Sequence, residues 1–137
     1  DGQTWSSAFN DLQDCIDLLD DGEIWVASGI YIPSRVPEWK LDVGKTSNIH
    51  KSFILKTNIQ LFGGFVGNET DRSQRNFMLN PTYLSCKLSD TKYCNQILIA
   101  ADNTLIDGFI FQDAGAGSDS NIRRRLANSL TVDKILS

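Results

Sequence analysis

The sequence lacks the long apolar runs, the basic surplus and the clustered histidines on which several classes of function depend. No apolar run reaches about 18 residues, so we expect no membrane span. The formal net charge is -4, whereas a nucleic-acid-binding domain typically carries a basic stripe, so we expect no nucleic-acid partner. The single histidine, His50, has no serine and aspartate at a spacing typical of a catalytic triad, so the sequence does not support a Ser-His-Asp triad.

Paired acidic residues on candidate strands are also missing. Hydrolysis of a polysaccharide needs two carboxylates facing one groove, about 5–9 Å apart, and lyase chemistry needs clustered acids for Ca²⁺ beside a basic residue. Here Asp107 alone lies on a candidate strand, with Asp102 and Asp113 at the neighbouring turns. These three are weak candidates for a Ca²⁺ site, and the alternative is that Asp107 caps backbone amides at a corner. We therefore expect no cofactor, and an enzyme is the weaker hypothesis.

What the sequence contains instead is a recurring apolar pattern. Leu61, Leu84 and Ile106 lie 23 and 22 residues apart, and each is followed, after one variable position, by a glycine or a cysteine. A repeat of this length indicates that one supersecondary unit is stacked, because a single unit cannot bury its apolar face alone. The stretch 103–113 is the clearest rung, and the pattern predicts a stacked parallel β-coil.

An amphipathic helix is predicted at the N-terminal end, within residues 1–22. Apolar residues recur from Trp5 to Leu19 at intervals of three or four, which gives one apolar stripe. Ser6 or Ser7 is the expected N-cap, and Gly22 follows the expected end. Placed before the first strands, such a helix would cover the open end of the coil core.

The predicted organisation is a single domain over residues 1–137. Residues 23–117 are expected to form the β-coils, with an inserted loop at 34–51, and residues 118–137 form a tail with one weak strand at 130–132. The strands of the coils are predicted at residues 23–27, 29–33, 51–55, 59–65, 81–86, 95–100 and 105–111.

The inserted loop, residues 34–51, is the first candidate for a contact site. It is mostly polar, and a loop of this length is uncommon unless it binds something or moves. Trp39 within it is the candidate ligand or partner contact, because sugars and proteins both favour flat amphipathic rings. The alternative is that Trp39 folds back and covers the coil.

Cysteines and a glycosylation tripeptide bear on the compartment. Cys86 and Cys94 flank a polar loop, and we predict a disulfide between them, with two free thiols as the alternative. Cys15 lies on the apolar face of the predicted helix and is expected in the core. Asn68 begins an Asn-Glu-Thr sequon in a predicted turn, which makes it the candidate glycosylation site of a secreted protein.

Several stretches together resemble surface proteins with a pectin-lyase-like right-handed parallel β-helix, of the polymorphic outer-membrane-protein type. The resemblance implies an all-β, right-handed parallel β-helix (a solenoid) with an N-terminal capping helix, and it implies secretion and surface display. Cys86 stands at a position where that group usually has a glycine. No Gly-rich strands follow Ser118, so we expect a short relative of the group or a fragment. The stretches that carry the resemblance are residues 1–14, 24–33, 52–56, 61–65 and 104–109.

From these observations we expect an extracellular or cell-surface structural or adhesive module. The sharper hypothesis is head-to-tail self-assembly into a fibre. The C-terminal coil would present unpaired strand backbone unless the tail covers it, and an open edge is a template for another chain. A non-closing contact of this kind repeats along a fibre. The alternative is a polysaccharide-binding or polysaccharide-cleaving domain, either lyase or hydrolase. The expected partner is a second copy, or an extracellular protein or glycan.

Overall fold

The computed structural model describes residues 1–115 and, for the backbone alone, residues 134–136. The predicted tail strand at 130–132 lies outside the described residues. Helix α1 spans Leu12–Leu18 and helix α2 spans Glu38–Leu41, and short 3-10 segments occur at Trp5–Ser7, Asn48–His50 and Arg72–Gln74. The strands are β1 Gly22–Ala27, β2 Gly29–Tyr31, β3 Phe53–Ile54, β4 Ile59–Phe65, β5 Thr82–Ser85, β6 Leu98–Ile99, β7 Leu105–Asp107, β8 Phe109–Gln112 and β9 Lys134–Leu136.

The strands form three small sheets, which the chain enters in the same order each time. Sheet one has the order β1-β4-β7-β9, sheet two β2-β5-β8 and sheet three β3-β6. The pairs among β1 to β8 are parallel, whereas β9 pairs antiparallel with β7. Strand β9 therefore covers the edge of β7, the edge that the fibre hypothesis required to be open.

The predicted all-β, right-handed parallel β-helix is wrong as a fold class. The described residues contain two α-helices beside strands of only two to seven residues, and the three small sheets do not form a closed solenoid. The physical reason lies in the connections. Residues 32–52 and 66–81 link neighbouring strands through helical turns and irregular backbone, so much of the chain contributes no strand pairing.

The repeat of 22 to 23 residues is also wrong in its pairing. Leu61 and Ile106 are register partners in sheet one, but Leu84 belongs to sheet two, where it pairs with Phe111. An apolar residue shortly before a corner occurs in the strands of both sheets, so its spacing alone does not decide which strands stack. The column that does stack in sheet one is Ile24, Leu61 and Ile106, all nearly fully buried.

The capping helix is shorter than its apolar stripe predicted. Asp11 is the N-cap of α1, and its carboxylate accepts the backbone N–H groups of Gln13 and Asp14 at 2.7 and 3.4 Å. Ser6 and Ser7 were wrong as N-caps, because they lie in a separate 3-10 turn. A side-chain oxygen that accepts free N–H groups of the first turn stabilises the start of a helix, and Asp11 supplies this oxygen in α1.

Helix α1 closes the edge of sheet three through one buried side chain. Gln13 donates its Nε2 to the carbonyl of Ile54 at 3.0 Å, and its Oε1 accepts the N–H of the same residue at 2.8 Å. The amide thus replaces a neighbouring strand, which satisfies the backbone groups that a buried edge must pair. The residues that pack the common core are Leu12, Ile16, Ile24, Val26, Phe53, Leu55, Ile59, Leu61, Leu84, Cys86, Cys94, Ile97, Ile106, Phe109, Phe111 and Ala114.

Candidate functional site

A cleft of about 960 Å³ runs beside β1 and is the candidate functional site. It is bordered by residues 1–5, 8 and 9, by α1, by residues 23–27 and by residues 66–70. Successive side chains of a strand point to opposite faces of the sheet, so a cavity that borders five consecutive residues must run along the edge of the strand. We call it the edge cleft.

The edge of β1 in this cleft carries backbone groups that no other strand pairs. Gly22 and Ser28, at the two ends of the strand, donate their N–H groups on the β4 side, at 3.2 and 2.8 Å. Backbone groups alternate between the two edges along a strand, so Glu23 and Trp25 turn theirs toward the cleft. The carbonyl of Ala27 is already occupied, since it accepts the hydroxyls of Tyr31 and Thr82 at 3.0 and 3.4 Å. Within residues 1–115, β1 pairs with β4 alone, and the backbone hydrogen bonds outside helices and strands add no partner on this edge.

Two tryptophans form an aromatic wall of the edge cleft. The ring of Trp25 stacks on Phe65, with a centroid distance of 4.9 Å and an interplanar angle of 7°. Trp5 packs against the same phenyl ring at 5.5 Å, and its indole N–H donates to the carbonyl of Glu69 at 2.9 Å. Because Phe65 is fully buried, it fixes both indoles, and both remain partly exposed along the cleft.

Four carboxylates line the edge cleft, and each is already bonded. Asp1 accepts the Ser7 hydroxyl at 2.6 Å, and Asp11 caps α1. Glu23 forms an ion pair with Arg72 and accepts an indole N–H at 3.0 Å. Glu69 accepts three backbone N–H groups of its own loop.

The hydrogen bonds of Glu69 set its charge state. Desolvation acts to raise the pKa of this carboxyl group, but the backbone N–H groups of Val66, Gly67 and Asn68 outweigh it and lower the pKa below its usual value. General acid catalysis requires a carboxyl group that is protonated near neutral pH, and this one is held ionised. Glu69 is therefore not suited to act as a general acid in the cleft.

Residues 66–81, which we call the covering loop, hold one end of the cleft in place. Arg72 and Arg75 stack over the ring of Phe62, at 4.4 and 5.1 Å from its centroid. Arg75 also binds Asp107 through an ion pair of 3.0 Å. Two guanidinium groups of the covering loop therefore lie on the outer face of sheet one, over Phe62. The same loop carries Asn68.

The three aspartates predicted as weak Ca²⁺ candidates have separate structural roles. Asp107 is paired with Arg75, Asp113 accepts the Ser85 hydroxyl at 2.8 Å, and Asp102 lies exposed in the turn before β7. Among the described residues, no group of three or more His, Cys, Asp or Glu side chains is placed to hold a metal ion. The structure therefore does not bring the three aspartates together as ligands.

Trp39 lies outside the edge cleft, on α2 of the inserted loop. Its side chain is 57% exposed, with Leu41 and Val43 also exposed beside it. More than half of the Trp39 surface is therefore open to solvent. The Lys40 ammonium lies 5.2 Å from the indole centroid, a cation-π contact. Trp39 remains a separate contact candidate.

The predicted disulfide between Cys86 and Cys94 is confirmed, with a Cα–Cα distance of 5.0 Å and both residues fully buried. Cys15 is free and only half-buried beside the edge cleft, and burial raises the pKa of its thiol. Asn68 is exposed at the rim of the cleft, where its side chain is accessible for modification.

In residues 1–115 no helix is long and apolar enough to cross a membrane.

No protein-family model matches this chain, and comparisons with curated protein sequences and with solved structures find no match either. The resemblance to β-helix surface proteins therefore stays an expectation from the sequence, and functional arguments depend on the site itself.

Sequence reasoning missed the edge cleft. The sequence pattern places Trp5 in the apolar stripe of the helix and Trp25 in a strand, and it gives the two no shared role. Glu69 enters the sequence prediction only as the middle residue of the sequon. A usable signal was the alternation of β1, which places Glu23 and Trp25 on the face opposite the buried Ile24.

Proposed function

We propose that this chain is a non-catalytic extracellular adhesive module that holds an extended partner polypeptide in the edge cleft. One observation carries the proposal: the cleft follows the free edge of β1, where Glu23 and Trp25 present backbone donors and acceptors. An exposed edge of this kind recruits an extended chain as an additional strand, and side-chain pockets then select its sequence.

The extracellular part of the proposal is supported by the covalent chemistry of the chain. A fully buried disulfide between Cys86 and Cys94 is typical of proteins that fold in oxidising compartments. Asn68 is exposed within its sequon, which suits a glycosylated surface loop. An intact mass that exceeds the sequence mass, and that returns to it after enzymatic deglycosylation, would support secretion; Asn68→Gln should abolish the surplus.

The aromatic wall supports a second candidate, the binding of a polysaccharide. Trp5 and Trp25 offer partly exposed indole faces, and flat amphipathic rings suit sugar rings. Cleavage of the polysaccharide is disfavoured, because the carboxylates of the cleft are all engaged in structural bonds.

The two candidates are separated by one set of binding measurements on the full chain. We expect the protein to bind extended peptides on an array and to leave pectin and alginate unbound and uncleaved. Glu23→Pro removes one edge N–H and should weaken peptide binding about tenfold, whereas proline is otherwise tolerated on an edge strand. Trp39→Ala is the matched control, since Trp39 lies outside the cleft, and it should bind as the wild type does.

Binding of a glycan that is lost in Trp25→Ala but retained in Glu23→Pro would replace the peptide proposal with the polysaccharide candidate. Release of reducing or unsaturated sugar ends would contradict the non-catalytic assignment. Peptide binding that is lost in Trp39→Ala and kept in Glu23→Pro would move the site to the inserted loop.

A further inference from the structure

The charged side chains that line the edge cleft are all of one sign. Asp1, Asp11, Glu23 and Glu69 line it, and no lysine or arginine is among its lining residues in the described part of the chain. Arg72 offsets Glu23 through an ion pair, but the ion pairs among the described residues involve none of the other three carboxylates. The negative electrostatic potential of these carboxylates favours an occupant with cationic side chains.

The chain itself contains a segment of the complementary charge. Residues 122–126 read Ile-Arg-Arg-Arg-Leu, and no other place in the 137 residues has three consecutive basic residues. As an extended strand, this segment would point Arg123 and Arg125 to one face and Ile122, Arg124 and Leu126 to the other. Arginine suits such a site because its guanidinium pairs with carboxylates in a planar fork and stacks on indole rings.

We infer that residues 122–126 of one copy add as a strand to the free edge of β1 in a second copy. The backbone of the segment would pair with Glu23 and Trp25, and Arg123 and Arg125 would face the carboxylates and indoles of the cleft. The inference rests on the proposed function, because it takes the edge cleft as its receiving site and names the partner polypeptide.

A second copy is a better source of the occupant than the same copy. In cis the segment is tethered on both sides, by residues 116–121 to the end of β8 and by residues 127–133 to β9. Both β8 and β9 lie at the opposite edge of their sheets from β1 and β2. The contact joins two different surfaces of the molecule, so a pair of copies still has one free cleft and one free segment, and head-to-tail chains follow.

Two variants of the full chain test this directly by sedimentation velocity. The cleft variant is Glu23→Pro, and the segment variant combines Arg123→Glu, Arg124→Glu and Arg125→Glu. We expect the wild type to form a concentration-dependent series of oligomers and each variant alone to sediment as a monomer. An equimolar mixture of the two should give dimers and nothing larger, because one intact cleft meets one intact segment.

Matched controls separate the backbone contribution from the charge contribution. Glu23→Gln keeps the edge N–H and removes one carboxylate, so it should weaken association less than Glu23→Pro does. Raising the salt from 0.1 M to 1 M shortens the Debye length from about 10 to about 3 Å and should weaken wild-type association at least tenfold. Circular dichroism and an intact disulfide in each variant show that loss of assembly is not loss of folding.

A wild type that stays monomeric at every concentration overturns the inference, and so does a mixture of variants that gives no dimer. Unchanged oligomers in the segment variant would place the contact elsewhere. A synthetic peptide of residues 121–127 should bind the segment variant and quench its tryptophan fluorescence. If this peptide does not bind while other extended peptides do, the self-association inference fails and the proposed function stands; if no extended peptide binds, both fail.

Discussion

Arg75 is the residue whose replacement tests the packing of the covering loop most directly. Its guanidinium donates to the backbone carbonyls of Gly63 and Asp107 at 3.0 and 3.2 Å, and it forms an ion pair of 3.0 Å with the Asp107 carboxylate. It also lies over the rings of Phe62 and Phe77 at 5.1 and 5.7 Å. One side chain thus joins β4, β7 and the covering loop.

The cost of Arg75→Ala follows from how little water reaches the ion pair. The side chains of Arg75 and Asp107 are only 14% and 19% exposed, and removing one partner of a mostly buried pair leaves the other charge uncompensated. We expect a loss of about 3 kcal/mol of unfolding free energy. Arg72→Ala is the matched control, because Arg72 also stacks over Phe62, but its pair with Glu23 is 45% and 39% exposed, and its loss should be at most about 1 kcal/mol.

Urea unfolding with the disulfide intact measures both values, with tryptophan fluorescence and circular dichroism followed in parallel to verify a single transition. Arg75→Lys should recover only part of the loss, because an ammonium group does not donate in the planar fork of a guanidinium. Equal losses in Arg75→Ala and Arg72→Ala would refute the reasoning from burial. A larger loss in Arg72→Ala would show that stacking, and not the ion pair, holds the loop.

Replacing Cys86 and Cys94 together by alanine should lower the unfolding free energy by about 2.5 kcal/mol, since the disulfide closes a loop of sequence separation 8, and the wild type in reductant should show a similar loss in urea unfolding. Gly64→Ala should cost at least about 2 kcal/mol, because φ is +95° and the new Cβ would lie 2.6 Å from a backbone atom of the covering loop; Gly44→Ala, with φ +77° and open space, should cost about 1 kcal/mol, and similar thermal melts for the two would contradict the clash. The pKa of Glu69 is lowered in the folded state from 4.5, so its stabilisation is complete above pH 4.5 and is lost as the pH falls through the folded pKa. The difference in unfolding free energy between the wild type and Glu69→Gln should therefore shrink below pH 4.5, and a constant difference would show that the charge of Glu69 does not matter.

Local features of the fold were predictable from the sequence, but their pairing was not. The strands β1 to β8 all lie within or beside segments that the apolar pattern marked, because alternation and β-branched residues are read from neighbours along the chain. The pairing of Leu84 was wrong, since its local pattern matches that of Leu61 although the two belong to different sheets. The solenoid failed for the same reason, because closure depends on contacts between distant segments.

The sequence by itself determined the strand segments, the polar inserted loop, the disulfide between Cys86 and Cys94 and the basic run at 122–126, because each depends on residues close together in the chain. Only the tertiary structure decided that Trp5, Trp25 and Glu69 border one cleft, and that β1 keeps a free edge while Gln13 closes the edge of sheet three. These contacts join positions tens of residues apart, and their geometry is set by which faces the buried core leaves exposed.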